Sequence, residues 1–252
     1  MTMKNLIIAN WKCNPSAVKE ASALAQKIED GYIKKKNTEV VLAPSFVYLS
    51  AISGILNKVK LGAQDSFWSG GSYTGETSAA QLKDLGAEYV ILGHSERRGV
   101  LGETPQMINQ KNLAVLKHKL KPVLCVGETE RTDGIPEVVG EQLRSALRGV
   151  PAVALENINI AYEPIWAIST TKGSRADTPG SAHQAMLYIR KVLTDFYDRS
   201  SAEKVRIIYG GSVNSDNIST FIKNGLMQGA LVGGASLDAE EFLTIIKNTP
   251  SA

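Results

Sequence analysis

Short runs of consecutive apolar residues recur along the whole chain: Leu6–Ala9, Val40–Ala43, Val59–Ala63, Tyr89–Leu92, Val123–Val126, Ile158–Tyr162, Val205–Tyr209 and Gly229–Val232. They do not alternate with polar residues, as a half-exposed strand would. Continuous apolar character over so few residues fits strands buried on both faces, hence a parallel sheet. Between the runs lie helical patterns with readable start signals. Asn14-Pro15 offers a cap and a first-turn proline ahead of Val18, Ala21, Leu24, Ala25 and Ile28. Ser78 with Gln81 reads as a capping box and Gly86 as a stop. Thr104-Pro105, Thr178-Pro179 and Asp238 with Glu241 repeat the start signal, and Gly225 marks a stop after Phe221-Ile222. After Thr178, the residues Met186, Ile189, Leu193 and Phe196 trace one helical face.

Strand and helix therefore alternate through residues 1–252, and no linker-like stretch divides them. A doubly wound open sheet would normally carry a glycine fingerprint after its first strand. Here Ala9 is followed by Asn10-Trp11-Lys12-Cys13-Asn14-Pro15. The expected architecture is a single α/β domain, a closed (β/α)8 barrel of eight parallel strands with outer helices.

Charge and cysteine usage narrow the function classes. A net charge of +3 is too balanced to point to nucleic acid, though a mild positive excess suits small anionic ligands. The run Lys34-Lys35-Lys36 reads as a solvated loop. Two cysteines without CxxC spacing make no disulfide framework, and His94, His118 and His183 lack metal-ligand spacing. No signal-peptide core and no window of membrane-span length occur, so the expected setting is cytoplasmic, away from membranes.

The chemically distinctive residues follow the strand ends, which share one rim in a barrel. Asn10 and Lys12 follow the first run, Gln64 the third, His94 the fourth, and Gly127-Glu128 the fifth. Glu163 follows the sixth, Gly210-Gly211-Ser212 the seventh and Gly233-Gly234 the eighth. Glycine-rich turns after strands seven and eight suit phosphate, because backbone N–H groups approach an anion unobstructed. Lys12 read alone is a solvated lysine; beside a phosphate site it is a counter-charge. His94 alone fits a structural residue equally well. Glu96, next to Arg97 and Arg98, reads as part of an ion-pair network with them. Glu163, held between a strand and Pro164, is a candidate general base. Base, imidazole, lysine and phosphate cradle together suggest proton transfer next to a carbonyl, in an isomerase or a lyase acting on a small sugar phosphate.

Eight motifs in order resemble the triosephosphate isomerase family along essentially the whole chain. They are Ala9–Lys12, Thr74–Ser78, Ile91–Arg98, Ile108–Lys111, Leu124–Glu128, Ala161–Ile168, Tyr209–Val213 and Leu231–Leu237. The resemblance implies interconversion of triose phosphates without cofactor or metal, in glycolysis and gluconeogenesis. It implies that Glu163 is the base, that His94 acts as a neutral imidazole with a lowered pKa, and that Lys12 offsets substrate charge. These roles come from the family and not from the residues alone. Asn10, Ser169, Ser212, Gly233 and Gly234 would bind substrate, while Glu96, Glu128, Trp166 and Tyr209 would support the site. The segment beginning at Pro164 would close over the substrate. Phe67–Thr77, which could otherwise be a plain surface loop, would carry Thr74, Gly75 and Glu76 into a second subunit and make a homodimer.

Two departures stand out. The family's Gly-Thr-Gly-Lys at the loop tip is Ser169-Thr170-Thr171-Lys172 here, and more residues precede Thr178-Pro179 than is common. Asp65 stands where asparagine is usual, so an amide donor is missing. The altered loop leaves a second class open, an inactive barrel kept as a binding protein. A third reading is another sugar-phosphate isomerase or lyase on the same barrel.

Overall fold

The structure, a computed structural model, describes residues 3–130, 134, 137–168 and 175–251. Eight parallel strands close into a barrel in sequence order. They are β1 (Asn5–Asn10), β2 (Thr38–Ala43), β3 (Lys60–Ala63), β4 (Tyr89–Leu92), β5 (Lys121–Val126), β6 (Asn159–Tyr162), β7 (Arg206–Tyr209) and β8 (Gly229–Val232). Closure comes from β1 pairing with β8 as well as with β2, Leu6 opposite Gly229 and Asn5 opposite Thr38. All eight apolar runs are strands. The ends differ most at β2 and β5, where pairing starts two residues earlier, at Thr38 and Lys121. Those extra residues are polar or proline, so hydrophobicity does not mark them.

Each strand presents alternate side chains to the two faces. Leu6, Ile8, Val41, Ala43, Tyr89, Ile91, Val123, Cys125, Ala161, Ile208 and Leu231 form one buried cluster. Their neighbours in sequence, such as Ile7, Ala9, Val40, Leu42, Val90 and Leu92, belong to a second cluster with the helices. The first set fills the barrel and the second glues the helical layer to its outside. Both faces are dry, which is why the strands read as unbroken apolar runs. Among the described residues no helix is long and apolar enough to cross a membrane.

Most helix starts lie where the caps place them. Ser78 and Gln81 form a reciprocal capping box, and the side chains of Thr104, Thr178 and Asp238 each accept from backbone N–H groups of the first turn. The first helix is different. It spans Val18–Gly31 with Ala17 at its N-cap and no side-chain cap, because the Asn14 amide donates backward to the Trp11 carbonyl. In Pro179–Phe196 the buried face is Ala182, Ala185, Ile189, Val192 and Leu193, with Phe196 42% exposed. Small alanines let this helix sit close to the sheet, which shifts the face from the larger residues. The stop after Ile218–Lys223 places its positive φ on Leu226, not on Gly225. Lys35 is not merely solvated: its ammonium donates to the carbonyls of Ile246, Lys247 and Thr249 at the end of Ala239–Asn248.

Asp65 joins a buried charge cluster that ties β3 to the segment after β4. Its carboxylate accepts from Lys111 Nζ at 2.8 and 2.9 Å and pairs with Arg97 at 2.8 Å, while Glu103 takes the same two cations. Glu103 Oε2 has no hydrogen-bond partner. Burial, with Glu103 adding to it, pushes the Asp65 pKa up to about 6 against the pull of Lys111 and Arg97. A carboxyl whose folded pKa exceeds its unfolded value loses stability as pH rises between the two. Asp65→Asn removes that loss and supplies an N–H near Glu103. The variant should be more stable to unfolding at pH 8, by on the order of 1–3 kcal/mol, with the advantage shrinking as pH falls from about 6 toward 4. A lower melting temperature at pH 8 would mean that the ion pairs outweigh the burial of the charge.

Candidate active site

The inward set of strand residues continues past the strand ends and builds the site. Glu163 lies two residues beyond the inward Ala161, Asn10 two beyond Ile8, Gly210 two beyond Ile208 and Gly233 two beyond Leu231. A cavity of about 370 Å³ at this rim is lined by Asn10, Lys12, His94, Glu163, Ser212, Gly233 and Gly234, among others. Residues from β1, β4, β6, β7 and β8 thus meet in one place. Glu96, Glu128, Trp166 and Tyr209 do not line it. Ser169 and the tip of its loop fall within 169–174, outside the described residues.

Glu163 is 2% exposed and both of its oxygens are engaged. His94 Nε2 donates to Oε1 at 3.0 Å, and the Ser95 backbone N–H donates to Oε2 at 3.2 Å. Two absent side chains make room for it. A Cβ on Gly210 would stand 2.7 Å from Glu163 Cγ, and one on Gly127 would run into the Glu163 carbonyl. Burial works to raise the Glu163 pKa, but His94 and the Ser95 N–H outweigh it and hold the carboxyl below its usual value.

His94 is the N-cap of the short helix Ser95–Gly99, and its Nδ1 accepts from the Glu96 N–H at 3.3 Å. An accepting Nδ1 places the proton of a neutral imidazole on Nε2, facing Glu163. Here the structure departs from expectation. Burial does lower the His94 pKa, but the Glu163 carboxylate outweighs that and the net direction is upward. Burial draws the imidazole toward neutrality, while the carboxylates of Glu163 and, to a smaller extent, Glu96 draw it toward charge.

Lys12 has a positive φ of 54°, a strained conformation for a side-chain-bearing residue. It is held there by three contacts. Asn10 Oδ1 accepts from its N–H at 3.2 Å, and its carbonyl accepts from Ser45 Oγ at 2.7 Å and from Gln64 Nε2 at 2.8 Å. Its ammonium pairs with Glu96 at 2.5 Å. Glu96 therefore does not pair with its neighbours in sequence. Arg97 turns to Asp65 and Glu103, and Arg98 donates to the carbonyls of Gly93 and Cys125. Across the rim, the N–H groups of Ser212, Gly233 and Gly234 have no acceptor among the described residues.

Behind the cavity, Glu128 accepts from Trp166 Nε1 at 2.8 Å and from the Tyr162 hydroxyl at 2.7 Å. The Arg175 N–H donates to the Trp166 carbonyl, which joins the two ends of the loop that leaves β6. Tyr209 stacks on Phe221, and its hydroxyl is hydrogen-bonded to Asp177. Asp177 was not singled out by sequence reasoning, nor were Ser45 as a brace of Lys12 and Ile168 as a wall of the cavity. Only Asp177 carried a signal, as a charge in the unusually long stretch before Thr178-Pro179.

The opposing pulls on His94 give a test. In the unliganded protein its imidazole should titrate above the ordinary histidine value, and Glu163→Gln should move it downward by removing the carboxylate. Nitrogen chemical shifts of labelled histidine report both. A His94 pKa unchanged by Glu163→Gln would show that the carboxylate does not set it.

Comparison with known proteins places this geometry. The family model described as Triosephosphate isomerase matches residues 5–249. A protein named triosephosphate isomerase from Alkaliphilus oremlandii is 44% identical over 249 residues, covering 96% of this chain and 98% of the relative. One from Caldanaerobacter subterraneus subsp. tengcongensis is 43% identical, with 96% and 98% covered. One from Dictyoglomus thermophilum is 42% identical, with 97% and 99% covered. The chain, from its closed barrel to the residues at its rim, belongs to the triosephosphate isomerase family.

Proposed function

We propose that this chain interconverts dihydroxyacetone phosphate and D-glyceraldehyde 3-phosphate, moving one proton between adjacent carbons through an enediolate. The contact between the Glu163 carboxylate and the His94 imidazole carries the reading, because it joins an ionised base to a hydrogen-bond donor in one cavity. Substrate entering that cavity would displace Glu163 from Ser95 and His94 and receive it as the base at carbon. His94 would then present its Nε2–H to the carbonyl oxygen. With the carboxylate turned away, burial favours the neutral imidazole, a donor that stabilises the developing oxyanion without giving up its proton. Lys12 and Asn10 would hold the oxygens at the reacting centre. The free N–H groups of Ser212, Gly233 and Gly234 would take the phosphate, as a rim of backbone dipoles suits a dianion. That activity belongs to glycolysis and gluconeogenesis in the cytoplasm.

A coupled assay with both triose phosphates tests the activity. Glu163→Gln should bind a phosphate-bearing analogue as the parent does but turn over at least about a hundredfold more slowly, since an amide cannot accept the proton. Retention of more than about a tenth of the turnover removes Glu163 from the mechanism.

We infer further that two copies pair through Phe67–Thr77. The loop is closed at its base by Phe67 N–H to the Thr77 carbonyl at 2.7 Å, and Phe67 packs on Trp68 and Tyr73. It therefore presents Thr74, Gly75 and Glu76 as an ordered, exposed tip. Apolar side chains are also exposed on neighbouring loops of the same rim, Val47 at 79%, Val100 at 80% and Leu101 at 62%. Sedimentation should show a dimer, and Thr74→Arg should shift it to monomer with loss of turnover. A fully active monomer at nanomolar concentration would rule the required dimer out.

A further inference from the structure

At the opposite end of the barrel, by the N-terminal ends of β1 to β4, lies a second cavity of about 600 Å³. Six lysines line it: Lys4 ahead of β1, Lys34, Lys35 and Lys36 in the loop entering β2, and Lys58 and Lys60 at the start of β3. Glu39 and Glu88 also line it, but their charge is already matched. Lys60 Nζ stands 3.0 Å from Glu39 and 2.7 Å from Glu88, and Arg206 reaches Glu39 from β7 at 3.0 Å. The other five lysines have no carboxylate partner among the described residues. Lys58 is fixed by main-chain carbonyls, which orient an ammonium without neutralising it, whereas the three N–H groups of Lys35 are all spent on carbonyls at the C-terminal end of a helix. Lys4, Lys34 and Lys36 are exposed. Thr38, 4% exposed and also part of the lining, has an Oγ1 without a hydrogen-bond partner.

Four uncompensated cations, Lys4, Lys34, Lys36 and Lys58, repel each other and raise the local potential. A concave site so charged concentrates anions. These lysines enter from three segments of the chain and outnumber the charges of a single phosphate, and a cavity of about 600 Å³ does not offer the long track of a nucleic-acid surface. We propose that this cleft is a second ligand site, separate from the rim cavity, for a small polyanion carrying two or more phosphate groups. Lys58, held by carbonyls, gives it a fixed cation, and the three exposed lysines supply adaptable contacts.

Calorimetric titration with tripolyphosphate at about 0.15 M salt tests this. The expected result is one tripolyphosphate, or one sugar bisphosphate, bound per chain at this site and held more tightly than orthophosphate. The variant Lys4→Ala/Lys34→Ala/Lys36→Ala should weaken that binding by about tenfold or more while leaving triose phosphate turnover unchanged. None of the three side chains makes a hydrogen bond or ion pair among the described residues, so the fold is not at stake. Lys12→Met, which removes the cation of the rim cavity, should leave the binding intact. Binding lost in Lys12→Met, unaltered in the triple variant, matched by orthophosphate or equalled by a single-stranded oligonucleotide would each overturn the proposal. The readout does not depend on the assigned reaction, so the two readings fail separately.

Discussion

A carboxylate at 2% exposure is an expensive thing to keep ionised, and the rest of the rim is arranged around keeping Glu163 so. Desolvation alone would raise its pKa and work against the role of base proposed for it. The imidazole of His94 and the N–H of Ser95 reverse that. Each of these partners has a cause of its own. Ser95 opens a helix, where backbone N–H groups lack partners, and His94 caps the same helix with its other nitrogen. Inward alternation along β6 aims Glu163, Pro164 restricts its backbone, and Gly127 and Gly210 leave the volume it fills.

That helix, Ser95–Gly99, buries no side chain of its own. Five residues cannot sustain a helix by propensity, and without apolar burial it needs other anchors. The anchors are polar. Glu96 ties it to Lys12, Arg97 to the Asp65–Glu103–Lys111 cluster, and Arg98 to carbonyls at the ends of β4 and β5. The buried charges around β3 and β4 are thus part of how His94 is placed. They also explain why Asp65 is tolerated although its own charge is disfavoured: it holds Arg97 while it strains the cluster.

The barrel and its rim were legible because they rest on local signals: unbroken apolar runs, caps such as Ser78 and Thr104, and glycines that follow strands. Where local signals mislead, the partner is mostly distant in sequence. Glu96 was matched to Arg97 and Arg98, but consecutive residues on a helix point in different directions, and its partner is Lys12. Lys35 was read as solvated because the carbonyls it serves lie more than two hundred residues later. The first helix was started too early since Asn14 serves Trp11 and not the helix. The direction of the His94 shift was also out of reach, because it depends on which way a glutamate from β6 points. Asp177, by contrast, had a local oddity around it, but only the fold shows that it reaches Tyr209.

The two ends of the barrel solve the same problem with opposite consequences. At the N-terminal end Glu39 is partly buried, and burial would raise its pKa, yet Lys60 and Arg206 with the Tyr89 hydroxyl bring it down to about 2. Its partners are permanent cations locked into strands, so the arrangement is fixed and closes the barrel floor. At the C-terminal end Glu163 is more deeply buried but leans on an imidazole that can be neutral and on one backbone N–H. Those contacts are strong enough to keep the charge and weak enough to exchange for a substrate. The apolar layer between, with Ile8, Val41, Ile91, Val123 and Ile208, separates the two carboxylates. What separates the structural carboxylate from the one proposed as the base is the replaceability of its partners, not the depth of its burial.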